Sequence, residues 1–310
     1  SIAALPKGRT EHVIFFGTPE IAVGPLRALV GAGFTVDLVV TGVDKRRGRG
    51  SQTSPSPVKQ AAIELQLPVT HEVSDAIALV ASSDAKFAGS YVGVVVAYGH
   101  IISSEALQVL PMINIHYSLL PRWRGAAPVE RALLAGDEQT GVCIMQVVEQ
   151  LDAGDILSSA TTQISQTDTT TTLRSRLGEI ANPMLIEVLS NGVSTTQPQT
   201  GDIVVAAKIT QADLEIDWSK PAAVIDRQVR VGGAFTFFHD KRFKIHSLKV
   251  STEIFIAKPG NMVVVNDRVL VACGQGVVEL VEIQPEGKPR ISAQDWKKGA
   301  RLDAQSRLGS

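Results

Sequence analysis

Short apolar runs, punctuated by glycine, proline and small polar residues, recur through the first half of the chain. Val13–Phe16 is followed by Gly17-Thr18-Pro19, then by apolar residues at helical spacing through Leu29. Thr18 is expected to cap that helix and Pro19 to take its first position. Val36–Val40 is the next run, and a helix is predicted from Ser56, with Pro57 at its first position. Leu67–Val69, Val92–Val96, Ile113–Tyr117 and Val142–Val147 continue the series. Val92–Val96 is apolar apart from Gly93, as expected of a strand covered on both faces. Strands alternating with helices predict the α/β class, with a Rossmann-like, doubly wound and mostly parallel sheet.

The pattern then changes. Residues 168–190 carry Leu173, Leu177, Ile180 and Met184 at helical spacing, with Pro183 among them. A helix that kinks or breaks at Pro183 is therefore predicted. Residues 191–202 are polar and read as linker. After a helix near Ala222–Val231 come short runs at Ala234–Phe238, Phe243–Leu248, Met262–Val265, Val269–Ala272 and Val277–Ile283. Turn residues separate them, which predicts a second, smaller antiparallel β-barrel domain, OB-like in plan. The expected division is a catalytic domain over 1–190, a linker over 191–207 and the β domain over 208–310.

Composition narrows the function classes. The chain has 310 residues, 44% hydrophobic and 20% charged, enough to bury a core. Two cysteines, Cys143 and Cys273, exclude a disulfide framework or a Cys-rich zinc site, and they fit a reducing compartment. No apolar run reaches the ~18 residues needed to span a membrane. The chain begins at Ser1, which leaves room for a leader removed by processing. The first turn reads Gly17-Thr18-Pro19-Glu20-Ile21-Ala22 rather than G-x-G-x-x-G, which removes the strongest support for NAD or FAD. A P-loop is absent as well. The formal net charge of −1 gives no global attraction to nucleic acid, but the average hides a split. Residues 1–207 carry 14 Lys and Arg against 19 Asp and Glu, net −5, and residues 208–310 carry 16 against 12, net +4.

The densest chemistry lies in Asn114-Ile115-His116-Tyr117-Ser118-Leu119-Leu120-Pro121. Alternation along a strand turns Asn114, His116 and Ser118 one way and Ile113, Ile115 and Tyr117 the other. Polar groups at the end of a parallel strand are where open α/β sheets place their sites. Farther on, Leu151-Asp152-Ala153-Gly154-Asp155 supplies carboxylates in a turn. An Asn amide can stabilise an oxyanion, a His can move a proton, and an Asp can orient the His. Acyl transfer to an amine that attacks directly would need no Ser or Cys nucleophile. The pattern alone leaves His116 open between proton shuttle and structural histidine, and Asp152 open to a turn-forming role.

Asn114-x-His116-x-Ser118-Leu119-Leu120-Pro121, Arg124-Gly125-x-x-Pro128 and Leu151-Asp152-x-Gly154 together resemble the 10-formyltetrahydrofolate-dependent formyltransferase family. Gly17-Thr18-Pro19-Glu20, Gly48-Arg49-Gly50, Val95-Val96-Ala97-Tyr98-Gly99, Ile216-Asp217-Trp218 and Gln284-Pro285-x-Gly287-Lys288 extend the resemblance over about residues 13–300. Within the family, the inserted loop and the C-terminal segments are similar to the branch whose acceptor is methionyl-initiator-tRNA.

The resemblance implies formyl transfer from 10-formyltetrahydrofolate, a consumed co-substrate, with no metal. Asn114, His116 and Asp152 would be catalytic and Ser118 a supporting partner. Val96, Ala97, Tyr98, Gly99, Ser118, Leu119, Leu120, Pro121 and Asp152 would hold the folate. Lys45, Arg46, Arg47 and Arg49, in a basic loop that could equally be solvated, would meet the tRNA with Lys208 and Lys288. Arg242, Lys244, Lys297 and Lys298 would extend that phosphate track. A monomer in bacterial cytoplasm is expected, with an organelle matrix as the alternative compartment. An amino-sugar formyltransferase is the competing reading. Tyr117, Cys143 and Pro183 depart from the family pattern.

Overall fold

The computed structural model describes residues 1–46, 53–83 and 90–309. They form two compact units. The first comprises 1–128, 139–163 and 173–207, and the second 129–138, 164–172 and 208–310.

The first unit is built on a seven-stranded sheet. Its strands are β1 (His12–Gly17), β2 (Thr35–Val40), β3 (Val69–Thr70), β4 (Tyr91–Val96), β5 (Met112–His116), β6 (Gln139–Gln146) and β7 (Ile156–Gln163), in the order β7-β6-β5-β4-β1-β2-β3. Strands β3, β2, β1, β4 and β5 run parallel, whereas β6 and β7 are antiparallel to their neighbours. Helices α1 (Val23–Gly31), α2 (Pro57–Glu64), α3 (Val73–Ala81) and α4 (Ser104–Val109) lie between the parallel strands in the chain. All six residues of β4 are buried, as an unbroken apolar run at the sheet centre requires.

Local signals worked unevenly. Ser56 caps α2, its hydroxyl accepting from the Lys59 N–H at 3.0 Å, with Pro57 in the first turn. Thr18 does not cap α1. A 3₁₀ turn over Glu20–Ala22 comes first, and the Thr18 hydroxyl instead donates to the Tyr98 carbonyl and accepts from the Gly42 N–H. That contact ties the ends of β1, β2 and β4 together. Strand β7 escapes the hydrophobic pattern because it is a polar edge strand whose residues are at best half-buried. Helix α5 (Pro128–Ala135) follows β5, and α6 (Thr170–Asn191) is one helix through Pro183, where a kink or break is expected. Leu173, Leu177, Leu185 and Leu189 bury one face of α6 on either side of the proline, which offsets the missing N–H.

Residues 191–207 are strapped along the first unit. Gln197 exchanges both backbone hydrogen bonds with Ile156, and Val205–Ala206 pairs in parallel with Arg124–Gly125.

The second unit is a six-stranded antiparallel sheet. Strands β8 (Phe235–Phe238), β9 (Lys241–Ser251), β10 (Met262–Val265), β11 (Arg268–Ala272) and β12 (Val277–Pro285) pair in the order β8-β9-β12-β11-β10, and Ile291–Ser292 pairs with β12. Ile225 and Val229 of α7 (Ala222–Val231) join Phe243, Ile245, Val269, Val271, Leu280 and Ile283 in its core. Residues 129–138 and 164–172 belong here through polar links. Arg131 makes a bidentate pair with Asp213, and the Thr170 hydroxyl donates to the Val231 carbonyl.

Candidate active site

The C-terminal half of β5 carries the site. Asn114 lies opposite Met145 and beside Val95, and His116 lies opposite Cys143. Asn114 is half-buried, His116 is buried and the Ser118 side of the following loop is fully buried. The turn after β6 brings Asp152 to them. The Asn114 Nδ2 donates to Asp152 Oδ1 at 3.4 Å, and His116 Nδ1 stands 3.7 Å from Asp152 Oδ2. That same Oδ2 accepts the Gly125 N–H at 2.8 Å.

His116 Nε2 lies 2.7 Å from the Trp123 carbonyl. A carbonyl only accepts, so Nε2 carries a proton, and in the neutral ring the lone pair sits on Nδ1, facing Asp152. The proton-accepting atom of His116 is thus the one directed at the carboxylate. The carboxylate contact likewise assigns the Asn114 amide. Its second N–H meets no acceptor among the described residues and can serve a developing oxyanion.

The backbone is bent to make this arrangement. Trp123 and Asp152 both sit in the left-handed region, at φ 64° and 48°, a conformation that costs a non-glycine residue of order 1 kcal/mol or more. Gly125 has φ 121°, which favours glycine. Gly154 is required for a different reason, since a Cβ there would stand 1.8 Å from the Gln146 carbonyl oxygen.

The Ser118 hydroxyl donates to the Arg122 carbonyl at 2.6 Å and closes the loop that presents Trp123 and Arg124. Leu120 packs on Cys143, Met145 and Ile156, Leu119 is half-buried and Pro121 is buried. Val96 and Tyr98 are buried, with Tyr98 edge-on to Phe16, whereas Ala97 and Gly99 are exposed with positive φ. Residues 96–99 therefore present backbone and small side chains at the end of β4. Burial raises the Tyr98 phenol's pKa, with Glu72 adding to it.

Of the candidate RNA contacts, Lys45 and Arg46 are exposed on a two-residue strand paired with Thr53–Ser54, and Arg47 and Arg49 lie outside the described residues. Lys208, Lys244 and Lys288 are exposed. Three others suggested for the phosphate track have partners within the chain. Lys297 pairs with Asp267 at 2.7 Å, Lys298 with Asp295 at 2.6 Å, and Arg242 lies over the Phe235 ring and donates to Gln211. Among the described residues, no His, Cys, Asp and Glu group is arranged to hold a metal ion, and no helix is long and apolar enough to cross a membrane.

Sequence reasoning missed the Gly125 N–H, the Trp123 carbonyl and Gln199, which meets the Asp152 turn. Two are backbone groups, and Gln199 stands in a polar stretch that reads as linker.

Residues 12–189 match the family model described as formyl transferase, and residues 208–301 match the model of the formyl transferase C-terminal domain. A methionyl-tRNA formyltransferase of Methylococcus capsulatus is 39% identical over 314 residues, covering 96% of this chain and 100% of that protein. One from Corynebacterium diphtheriae is 40% identical over 303 residues, covering 93% and 96%. Among solved structures, an N-formyltransferase of Helicobacter canadensis in complex with folinic acid and dTDP-3-aminofucose shares the fold, with a TM-score of 0.64, 15% identity and coverage of 89% and 99%.

Proposed function

The chain belongs to the formyl transferase family, and we propose that it moves the formyl group of 10-formyltetrahydrofolate to the α-amine of methionyl-initiator-tRNA. The product, N-formylmethionyl-tRNA, serves translation initiation. The observation that carries the chemistry is Asp152 standing against both Asn114 and His116. The acceptor follows from near-full-length relatedness, at 39–40% identity, to proteins named methionyl-tRNA formyltransferase.

The amine attacks the formyl carbon, and a C–N bond forms as the carbonyl oxygen takes negative charge. The second N–H of Asn114 stabilises that oxyanion. The amine's proton passes to His116 Nδ1, where Asp152 faces the resulting cation. Collapse breaks the bond to the tetrahydrofolate nitrogen, which takes the proton back from His116. Products are the formylated amine and tetrahydrofolate, with no metal needed to balance the step. The site is deeply buried around His116, so its electrostatic terms act with little screening.

The folate lies, in this reading, against Val96, Ala97, Tyr98, Gly99, Leu119, Leu120 and Pro121, with Ser118 holding the loop's shape. Lys45, Arg46, Arg47 and Arg49 meet the tRNA from the inserted loop, and Lys208 and Lys288 meet it from the C-terminal half. The division of labour follows residues 1–190, 191–207 and 208–310. The protein acts as a monomer in bacterial cytoplasm.

An amino-sugar acceptor is the second reading, because sugar N-formyltransferases share the fold. The test offers methionyl initiator tRNA, methionyl elongator tRNA and an amino sugar nucleotide in parallel. Formylation of the initiator tRNA well above the others supports the proposal. Formylation of the sugar with the tRNAs untouched overturns it.

A further inference from the structure

Gln199 stands in an otherwise exposed stretch, with Pro198 and Thr200 both exposed. Its side-chain amide nevertheless uses every hydrogen-bonding valence it has. Nε2 donates to the Asp152 carbonyl and to the Gly154 carbonyl, each at 2.8 Å. Oε1 accepts from Arg124 Nε at 3.0 Å and from its second guanidinium nitrogen at 2.7 Å. The amide orientation is fixed by these partners, because a flipped amide would set its oxygen against two carbonyls and its NH₂ against a guanidinium.

The contacts close a ring. From Gln199 it passes through Arg124 to the next residue, Gly125, whose N–H holds the Asp152 carboxylate, and returns through the Asp152 backbone to Gln199. On the other side of Arg124, the Trp123 carbonyl holds His116 Nε2. One amide therefore fixes the Asp152 turn against the segment that orients both members of the His116–Asp152 pair. The neighbouring strap reinforces it, with Thr196 donating to Asp155 and Gln197 paired to Ile156.

We propose that Gln199 is a positioning residue for formyl transfer, setting the Asp152 carboxylate relative to His116 and Asn114 through Arg124. It touches no reacting atom. The proposal rests on the catalytic reading above, so its test has one readout that depends on activity and one that does not.

The experiment compares wild type, Gln199→Ala, Asp152→Asn and the double variant in steady-state formylation of methionyl-tRNA. It also follows hydrogen exchange at the Gly125 amide. Gln199→Ala is expected to lower kcat roughly 10- to 100-fold with the KM for methionyl-tRNA within about twofold. In the Asp152→Asn background the same change is expected to cost little more, since the group it positions is already gone. Exchange at Gly125 should speed at least about tenfold in folded Gln199→Ala. Should that variant not fold, Gln199→Met, which keeps the stem and removes every hydrogen bond, carries the same measurements. Unchanged kcat, a loss carried by KM, or equal losses in both backgrounds would overturn the proposal, as would unchanged Gly125 exchange. Wild type inactive on methionyl-tRNA but with Gly125 exchange sensitive to Gln199 would instead overturn the functional reading and leave the positioning role standing.

Discussion

His116 has two nitrogens in different company, and that difference supports the role proposed for it. Nε2 is committed to a backbone carbonyl, so Nδ1 is left for proton transfer, within 3.7 Å of Asp152. Tyr117, on the opposite side of the strand end, is a contrast. Its ring is buried, burial raises its pKa, and its hydroxyl has no hydrogen-bond partner among the described residues. An unmet buried hydroxyl costs stability. Tyr117→Phe should therefore stabilise the protein by about 1 kcal/mol in denaturant titration, with formyl transfer unchanged. Destabilisation would mean that the hydroxyl is satisfied in solution.

At the scale of elements, the turn between β6 and β7 makes the site. Gly154→Ala would drive a Cβ into the Gln146 carbonyl. It should cost about 1–3 kcal/mol and, by moving Asp152, roughly 10²-fold in kcat. Wild-type turnover in that variant would show that the turn tolerates the displacement.

The second unit has its own pinned element. Arg131 and the Thr210 N–H, which donates to Asp213 at 2.8 Å, hold the Asp213 carboxyl at about 2, below its ordinary 3.8. A depressed folded-state value adds stability that is full above the ordinary range and is lost as pH falls from about 4 towards about 2. Asp213→Asn should flatten the fall in Tm over that window. An unchanged acid slope would remove the pair from the account.

The parallel strands were legible because β1, β2, β4 and β5 are apolar runs bounded by turn residues. Strand β7 was not, because Ser158-Ser159-Ala160-Thr161-Thr162 looks like loop until a neighbour pairs with it. Asn114, His116 and Asp152 were legible by residue type and motif. The groups that aim them were not, since a carbonyl, an amide N–H and one glutamine in a polar stretch leave no pattern along the chain.

At the scale of the molecule, a net charge of −1 conceals an acidic first 207 residues and a basic remainder. The structure refines that arithmetic, because Lys297 and Lys298 are neutralised by local carboxylates whereas Lys208, Lys244 and Lys288 are exposed. Arg49→Ala should raise the KM for methionyl-tRNA and steepen no dependence on folate, leaving folate affinity within about twofold. An equal effect on a small-molecule acceptor would count against an RNA-reading loop. The whole account turns on one site performing one transfer, and His116→Ala tests it most directly. In single-turnover formylation of methionyl initiator tRNA, the rate should fall at least roughly 10²-fold, with tRNA binding and Tm close to wild type. Near-normal turnover by the folded variant would contradict it.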